Sequence, residues 1–271
     1  MRKIVRKARV LKASGEIEAY SREKLIFSLI KAGLDEEKAE ILVSMLEKDL
    51  PDFVSSNHIH ERVYELLKIH YPKYALKYAL KRAIMRLGPE GFPFEKFFAK
   101  LLQKIGYKTE TNRILKGRCV YHEIDVIAVK DGVRYMVECK YHNSPGIYTG
   151  LKTVLYVHAR LQDLSEYFDA GWVATNTKLS KEAIQYARCV DLKLTAWRYP
   201  PHESLEVLIE KMKLYPITVL STLPSQARRL LLSENIVTLE DLRSLDISEL
   251  RNLTGLSEEQ AIKVMEEAAL I

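Results

Sequence analysis

Two acids and one amine near the middle of the chain have the types and spacing to do chemistry together. Asp125 sits in the run Tyr121-His122-Glu123-Ile124-Asp125-Val126-Ile127-Ala128-Val129-Lys130, and Glu138 and Lys140 sit in Val133-Arg134-Tyr135-Met136-Val137-Glu138-Cys139-Lys140-Tyr141. Only Asp131-Gly132 separates the two runs. Asp-Gly between apolar stretches predicts a two-residue hairpin, because both central residues of a type I′ turn need positive φ. If Lys130 faces Val133, Asp125 falls opposite Glu138. Directly opposed residues share a face with Cβ atoms roughly 4.5–5.5 Å apart, so the two carboxylates converge. They repel each other, and a hard cation such as Mg²⁺ or Mn²⁺, which prefers oxygen ligands, relieves that repulsion. Lys140 projects from the same face as Glu138, and Cys139 from the other. Such a set suits phosphodiester hydrolysis: a bound metal lowers the pKa of a water and shields phosphate charge, while an ammonium stabilises the transition state. The residue types leave Lys140 open as a base or as an electrostatic stabiliser. The plainer alternative is an ordinary exposed salt bridge on a strand.

The neighbouring elements must hold this hairpin in place. Phe94, Phe97, Phe98, Leu101, Leu102 and Ile105 mark one face of a helix that Gly106 terminates. Strands are predicted at 107–116, 121–130 and 133–141, a helix at 151–169, a strand at 171–176, a helix at 180–189 and a strand at 191–198. That order packs most simply as a mixed sheet with helices on both faces. Upstream, two Gly and two Pro in Leu87-Gly88-Pro89-Glu90-Gly91-Phe92-Pro93 mark a boundary. Before it lie a short hairpin within residues 4–20 and helices starting at Ser21 (a capping box), at Asp35 (over 36–50), over Ser55 to Leu67 and over Tyr74 to Leu87. After Pro200-Pro201 come a helix near 203–214 and short helices at 224–234, 238–243, 246–252 and 257–269. The fold class is therefore multi-domain α/β, with domains at 1–88, 89–203 and 204–271.

Composition limits the partners. The chain has 271 residues, 47% hydrophobic and 29% charged, as expected for a folded globular protein rather than a disordered one. It lacks any apolar run of about 20 residues, which predicts a cytoplasmic protein without a membrane partner. Cys119, Cys139 and Cys189 lack CxxC spacing, so neither structural zinc nor a disulfide framework is expected. Residues 1–88 carry 18 basic and 12 acidic side chains, 89–203 carry 17 and 13, and 204–271 carry 7 and 11. The first two segments are suited to a polyanion and the last is not.

With these residues in view, the middle segment resembles the PD-(D/E)XK nucleases, and within them the Mrr-like restriction endonucleases. The resemblance rests on Asp125, on Glu138-Cys139-Lys140, on the helix carrying Phe94-Glu95-Lys96-Phe97 with Gly106-Tyr107 after it, and on Gly171-Trp172-Val173-Ala174-Thr175-Asn176 with Ala183 to Ala187. It implies a restriction-endonuclease-like sheet in which Asp125 and Glu138 bind metal, Lys140 is catalytic and Glu95 assists at the metal. Ile124 stands where some members have proline. Glu95 is otherwise a solvated side chain at the edge of its helix face. His122 and Glu123 read as rim residues, and His142 and Asn143, just past Lys140, as candidates for contact with nucleic-acid phosphate.

The first segment resembles an ATP-cone, carried by Val10-Leu11-Lys12-Ala13-Ser14-Gly15-Glu16-Ile17-Glu18 and Ser21-Arg22-Glu23-Lys24-Leu25. That implies an adenine nucleotide, ATP or dATP, with Lys12 and Lys24 on its phosphates, although Ala13 and Ser14 depart from the family pattern. The last segment, Leu223 to Ser257, resembles helix-hairpin-helix domains, in which the turn Leu253-Thr254-Gly255-Leu256-Ser257 would give the Gly255 backbone N–H to DNA phosphate. Dimerisation, or docking of this acidic segment on the basic one before it, is the alternative. Two functions follow as expectations: a Mg²⁺-dependent DNA endonuclease, nucleotide-regulated and acting in DNA defence or repair, as a monomer or homodimer; or a nucleotide-responsive DNA-binding regulator on an inactive nuclease-like scaffold.

Overall fold

The computed structural model describes residues 8–12, 15–144 and 146–270. Residues 4–7 of the expected first hairpin, with Ala13 and Ser14, lie outside the described residues. The chain divides into two compact units, one ending at Lys81 and one running from Arg82 to Ile271.

In the first unit, β1 (Arg9–Leu11) pairs antiparallel with β2 (Ile17–Ala19) and parallel with β3 (Phe53–Ser55). The third strand was not expected, since it pairs in parallel with the distant β1 and has no hairpin turn beside it to mark it. Helices α1 (Arg22–Lys31), α2 (Glu36–Lys48), α3 (Ser56–His70) and α4 (Pro72–Ile84) follow. Leu29, Leu42, Val43, Val63 and Leu67 meet at full burial in their core. Ser21 accepts from the Lys24 N–H and so caps α1, but the residue at the reciprocal position is Lys24, so the expected capping box is half formed.

The second unit begins at Arg82, in the last turn of α4, and carries α5 (Phe92–Lys104) and a five-stranded sheet in the order β10-β8-β6-β5-β4. Its strands are β4 (Lys108–Lys116), β5 (Tyr121–Lys130), β6 (Val133–Lys140), β8 (Ala170–Thr175) and β10 (Lys193–Thr195). Between them lie the strand pair β7 (Tyr148–Thr149) and β9 (Lys178–Leu179), helix α6 (Leu151–Asp163) and helix α7 (Lys181–Cys189). The sheet is mixed: β4, β5 and β6 are antiparallel neighbours, and β6, β8 and β10 run parallel. Helix α6 stops at Asp163 rather than continuing to 169. Phe94 and Phe98 of α5 stack at 6.3 Å, and Phe98 meets the edge of Trp172 on one sheet face. On the other face, Ile127, Met136 and Val173 pack with Val154, Val157, Ala183 and Ala187 from α6 and α7.

The C-terminal helices α8 (Leu205–Met212), α9 (Ser225–Ser233), α10 (Leu239–Arg243), α11 (Ile247–Thr254) and α12 (Glu258–Ala269) belong to this same unit. Two acidic residues of α10 meet α5. Asp241 and Glu240 pair with Lys100 and Lys104 of α5 at 2.7 and 2.8 Å. No described helix is long and apolar enough to cross a membrane.

Candidate active site

Asp131 (φ 52°) and Gly132 (φ 81°) both adopt the left-handed backbone that the Asp-Gly turn demands. The β5–β6 ladder accordingly starts at Lys130↔Val133 and runs to Val126↔Val137, in the register that sets Asp125 across from Glu138. There the strands part company. β5 stays paired with β4 as far as Tyr121, while β6 stays paired with β8 as far as Lys140. In place of a ladder bond, the Asp125 carboxylate reaches across and accepts from the Cys139 N–H at 2.7 Å. Asp125 and Glu138 thus stand at the mouth of a fork between two strands, where a side chain replaces the backbone partner.

The fork is short of positive charge. Burial pushes the Asp125 carboxyl up to about 7, with the negative charge of Glu138, and then of Glu95, adding to it; the Cys139 N–H and Arg160 pull the other way. Glu95, in the first turn of α5, is likewise raised, by burial first and then by Glu123 and Glu138. The structure therefore brings Asp125, Glu138 and Glu95 into one electrostatic group, with Glu123 beside them. Lys140 projects two residues beyond Glu138, is exposed, and makes no ion pair among the described residues.

One member of the group was not anticipated. Arg160 of α6, 6% exposed, places its guanidinium on the Glu138 carboxylate and on the Glu123 carbonyl oxygen, with its face toward the Tyr156 ring at 5.2 Å. The sequence carries a signal for it. Val154, Val157 and Arg160 of α6 and Leu164 just past its end are buried on one stripe, and a charge on a buried stripe calls for a partner.

The other expected site residues have specific positions. The imidazole of His142 meets Thr149 Oγ1 at 3.0 Å, and the buried Asn176 amide clasps both the N–H and the carbonyl of His142, so this residue anchors the loop after β6. Asn143 is exposed and accepts from the Ser144 hydroxyl. His122 pairs with Asp163 at 2.8 Å, and Asp163 also takes the Cys119 and Val120 N–H groups, so this pair fixes the β4–β5 turn. In the first unit, Lys12 and Lys24 converge on Glu18 at 2.8 and 3.3 Å beside a cavity of about 300 Å³ lined also by Tyr20, Ser21, His60 and Tyr78. Gly255 has the positive φ of 71° expected of the hairpin, but its N–H is taken by the Arg251 carbonyl at 2.7 Å. The next helix begins with Glu258 and Glu259, which oppose a phosphate at that end.

A hard divalent cation fits the fork by two criteria: every side-chain donor offered there is a carboxylate oxygen, and the group carries more negative charge than Arg160 neutralises. Among the described residues no three His, Cys, Asp or Glu side chains form a ready-made metal cluster, so the set is one of two carboxylates needing solvent or substrate oxygens to complete a shell.

Residues 88–198 match the model of a restriction endonuclease domain, and residues 215–271 match that of the AF1548-like C-terminal domain. An uncharacterized protein of Archaeoglobus fulgidus is 46% identical over 171 residues, which is 63% of this chain and 97% of that protein. The crystal structure of AF1548, a protein of unknown function, superposes with a TM-score of 0.59 at 44% identity, covering 66% of this chain and 97% of that one.

Proposed function

Because the chain belongs to the AF1548-like family and carries a restriction-endonuclease domain over residues 88–198, we propose that it is a divalent-metal-dependent DNA endonuclease whose active site is the β5–β6 fork. The observation that carries this reading is the pair Asp125 and Glu138 at the point where the strands separate, one carboxyl raised to about 7 by burial and by the other. A structural salt-bridge site would neutralise its acids; here the one buried guanidinium is held by Glu138, while Asp125 and Glu95 stay raised by burial and by neighbouring negative charge.

Asp125 and Glu138 would hold Mg²⁺ or Mn²⁺, with Glu95 assisting, and such an ion supplies a water of lowered pKa and a counter-charge for the phosphate. The protein's own groups do the rest. The Cys139 N–H fixes the Asp125 carboxylate, and Arg160 fixes that of Glu138, so both are oriented before substrate arrives. Lys140, on the same strand face as Glu138, exposed and without an ion pair among the described residues, would stabilise the charge that develops on the phosphodiester oxygens.

Regulation by ATP or dATP rests on Lys12 and Lys24, which share one cavity in the first unit; a nucleotide phosphate there would take over the place of Glu18. A role in DNA defence or repair, and cleavage of both strands by a homodimer, complete the reading.

Supercoiled plasmid incubated with the full chain and Mg²⁺ or Mn²⁺ is the direct assay. Nicking or linearisation is expected, with loss of cleavage in Glu138→Ala and Lys140→Ala at unchanged circular dichroism. Cleavage that persists in both variants refutes the assignment. DNA binding that responds to ATP, with no cutting under any divalent metal, would favour the regulator on an inactive scaffold.

A further inference from the structure

A second cavity, of about 560 Å³, opens in the unit of residues 82–271 at the hairpin end of the sheet. Lysines from four separate elements line it, Lys104, Lys130, Lys193 and Lys211, against the single carboxylate of Glu203. Lys104 is held by Glu240, but Lys130, Lys193 and Lys211 form no ion pair with any carboxylate among the described residues. Two of these ammonium groups are set in place by aromatic rings. Lys193, paired with Trp172 across neighbouring strands, lies 4.0 Å above the Trp172 ring and 5.7 Å from that of Tyr107, and donates to the Tyr107 hydroxyl at 3.2 Å. Lys130 lies 5.1 Å from the same Tyr107 ring and is tied to the Ile105 carbonyl at 2.8 Å, at the C-terminal end of α5.

Surface lysines are normally loose, with their stems free in water. These two are half-buried, oriented by rings and a carbonyl, and left without an anion, so the entropic cost of ordering them has already been met. The cavity is also of the size that holds small molecules rather than single ions, roughly 300–1,000 Å³. Leu208 and Met212 supply an apolar wall.

We propose that this cavity binds a phosphate monoester attached to a carbon skeleton of about mononucleotide size, and that it is distinct from the candidate active site. A monoester carries roughly −1.5 to −2 charge at neutral pH and so suits two preset ammonium groups better than a diester or a carboxylate, each with a single charge. Its distance from the fork follows from the strand: Lys130 lies five residues along β5 from Asp125, about 17 Å at ~3.4 Å per residue. It also opens from the Trp172 face of the sheet, whereas Glu138 shares the face of Met136 and Val173 that packs on α6. The monoester can belong to a free nucleotide or to the 5′-phosphate end of a DNA strand. The mononucleotide is favoured by the enclosure.

Calorimetric titration of the full chain with AMP, adenosine, and 5′-phosphorylated and 5′-hydroxyl oligonucleotides tests the site. AMP is expected to bind at least about tenfold more tightly than adenosine, and to weaken by about tenfold or more in Lys130→Gln/Lys193→Gln, the size of losing one charge-assisted contact. Should that double variant fail to fold, Lys211→Glu, at an exposed position on the rim, is expected to weaken AMP in the same direction. AMP binding that is lost in Lys12→Ala/Lys24→Ala but kept in Lys130→Gln/Lys193→Gln would place the nucleotide in the first unit instead and overturn the proposal. Preference for the phosphorylated over the hydroxyl oligonucleotide, lost in the same variants, identifies a strand end as the source; AMP binding alone identifies a free nucleotide. Equal affinity for AMP and adenosine, AMP affinity unaltered in both the glutamine and the Lys211→Glu variants, or no binding of either phosphorylated probe overturns the proposal.

Discussion

Replacing Arg160 by Met removes the guanidinium but keeps most of the stem's volume, so the change isolates charge from packing. In the folded protein Arg160 is 6% exposed and Glu138 17%, and the guanidinium also satisfies the Glu123 carbonyl. Removing one partner of a buried ion pair costs about 3–5 kcal/mol, since the other charge stays behind unpaired. The residual exposure of Glu138 puts the loss at the lower end, about 3 kcal/mol. In a unit of this size that corresponds to a melting point lower by roughly 6–12 °C. A divalent cation held by Asp125 and Glu138 supplies the missing positive charge, and binding at a hundred times its dissociation constant stabilises by about 2.7 kcal/mol. Wild type gains from the metal too, so the metal-free deficit is expected to shrink only by the variant's tighter binding, about 1.4 kcal/mol or roughly half for a tenfold gain in affinity once the guanidinium no longer competes for Glu138. Differential scanning calorimetry of wild type and variant, with EDTA and with metal, measures both numbers. A metal-free loss below about 1 kcal/mol would show that Glu138 is solvated rather than held, and a deficit that metal leaves untouched would separate Glu138 from any metal site.

Asp125→Asn is expected to stabilise the metal-free protein at pH 8: burial and neighbouring charge push the native carboxyl up to about 7 and the unfolded one lies near 4, so the wild type loses stability as pH rises through that window and the variant does not, a difference of order 4 kcal/mol by denaturant titration that should vanish below about pH 4. Glu267 shows the opposite sign. Burial alone would raise its carboxyl, but the Ser221 and Thr222 hydroxyls and the Thr222 N–H outweigh it and hold the group down to about 2. Its stabilisation is thus present above the ordinary carboxylate range and lost as pH falls through about 2, so Glu267→Ala should cost about 2 kcal/mol at neutral pH and progressively less in acid, read from melting curves. A methyl at Gly171 would run into the Leu192 and Leu161 side chains, so Gly171→Ala should destabilise by about 1–3 kcal/mol without altering the fork residues; an unchanged melting point would contradict the packing.

The sequence determined the hairpin. Asp131-Gly132 can form only one kind of tight turn, turn geometry fixes register, and register alone sets Asp125 across from Glu138; each of these steps is local, within about 16 residues. The helix of phenylalanines, the alternation of strands and helices, and the order of the short C-terminal helices were legible for the same reason, because apolar period and caps are local signals. Strands of two or three residues, β3, β7 and β9, were not legible, since pairing rather than pattern creates them. The tertiary structure decided the electrical state of the site. The separation of β5 from β6 depends on β4 and β8 pulling their neighbours apart, and the buried guanidinium of Arg160 comes from a helix 22 residues downstream of Glu138. Folding likewise gave Lys12 and Lys24 to Glu18 and the Gly255 N–H to Arg251, assignments that residue type leaves open. A short-range rule places side chains along a strand, but desolvation and charge balance are sums over everything that packs around them, and only the folded chain performs that sum.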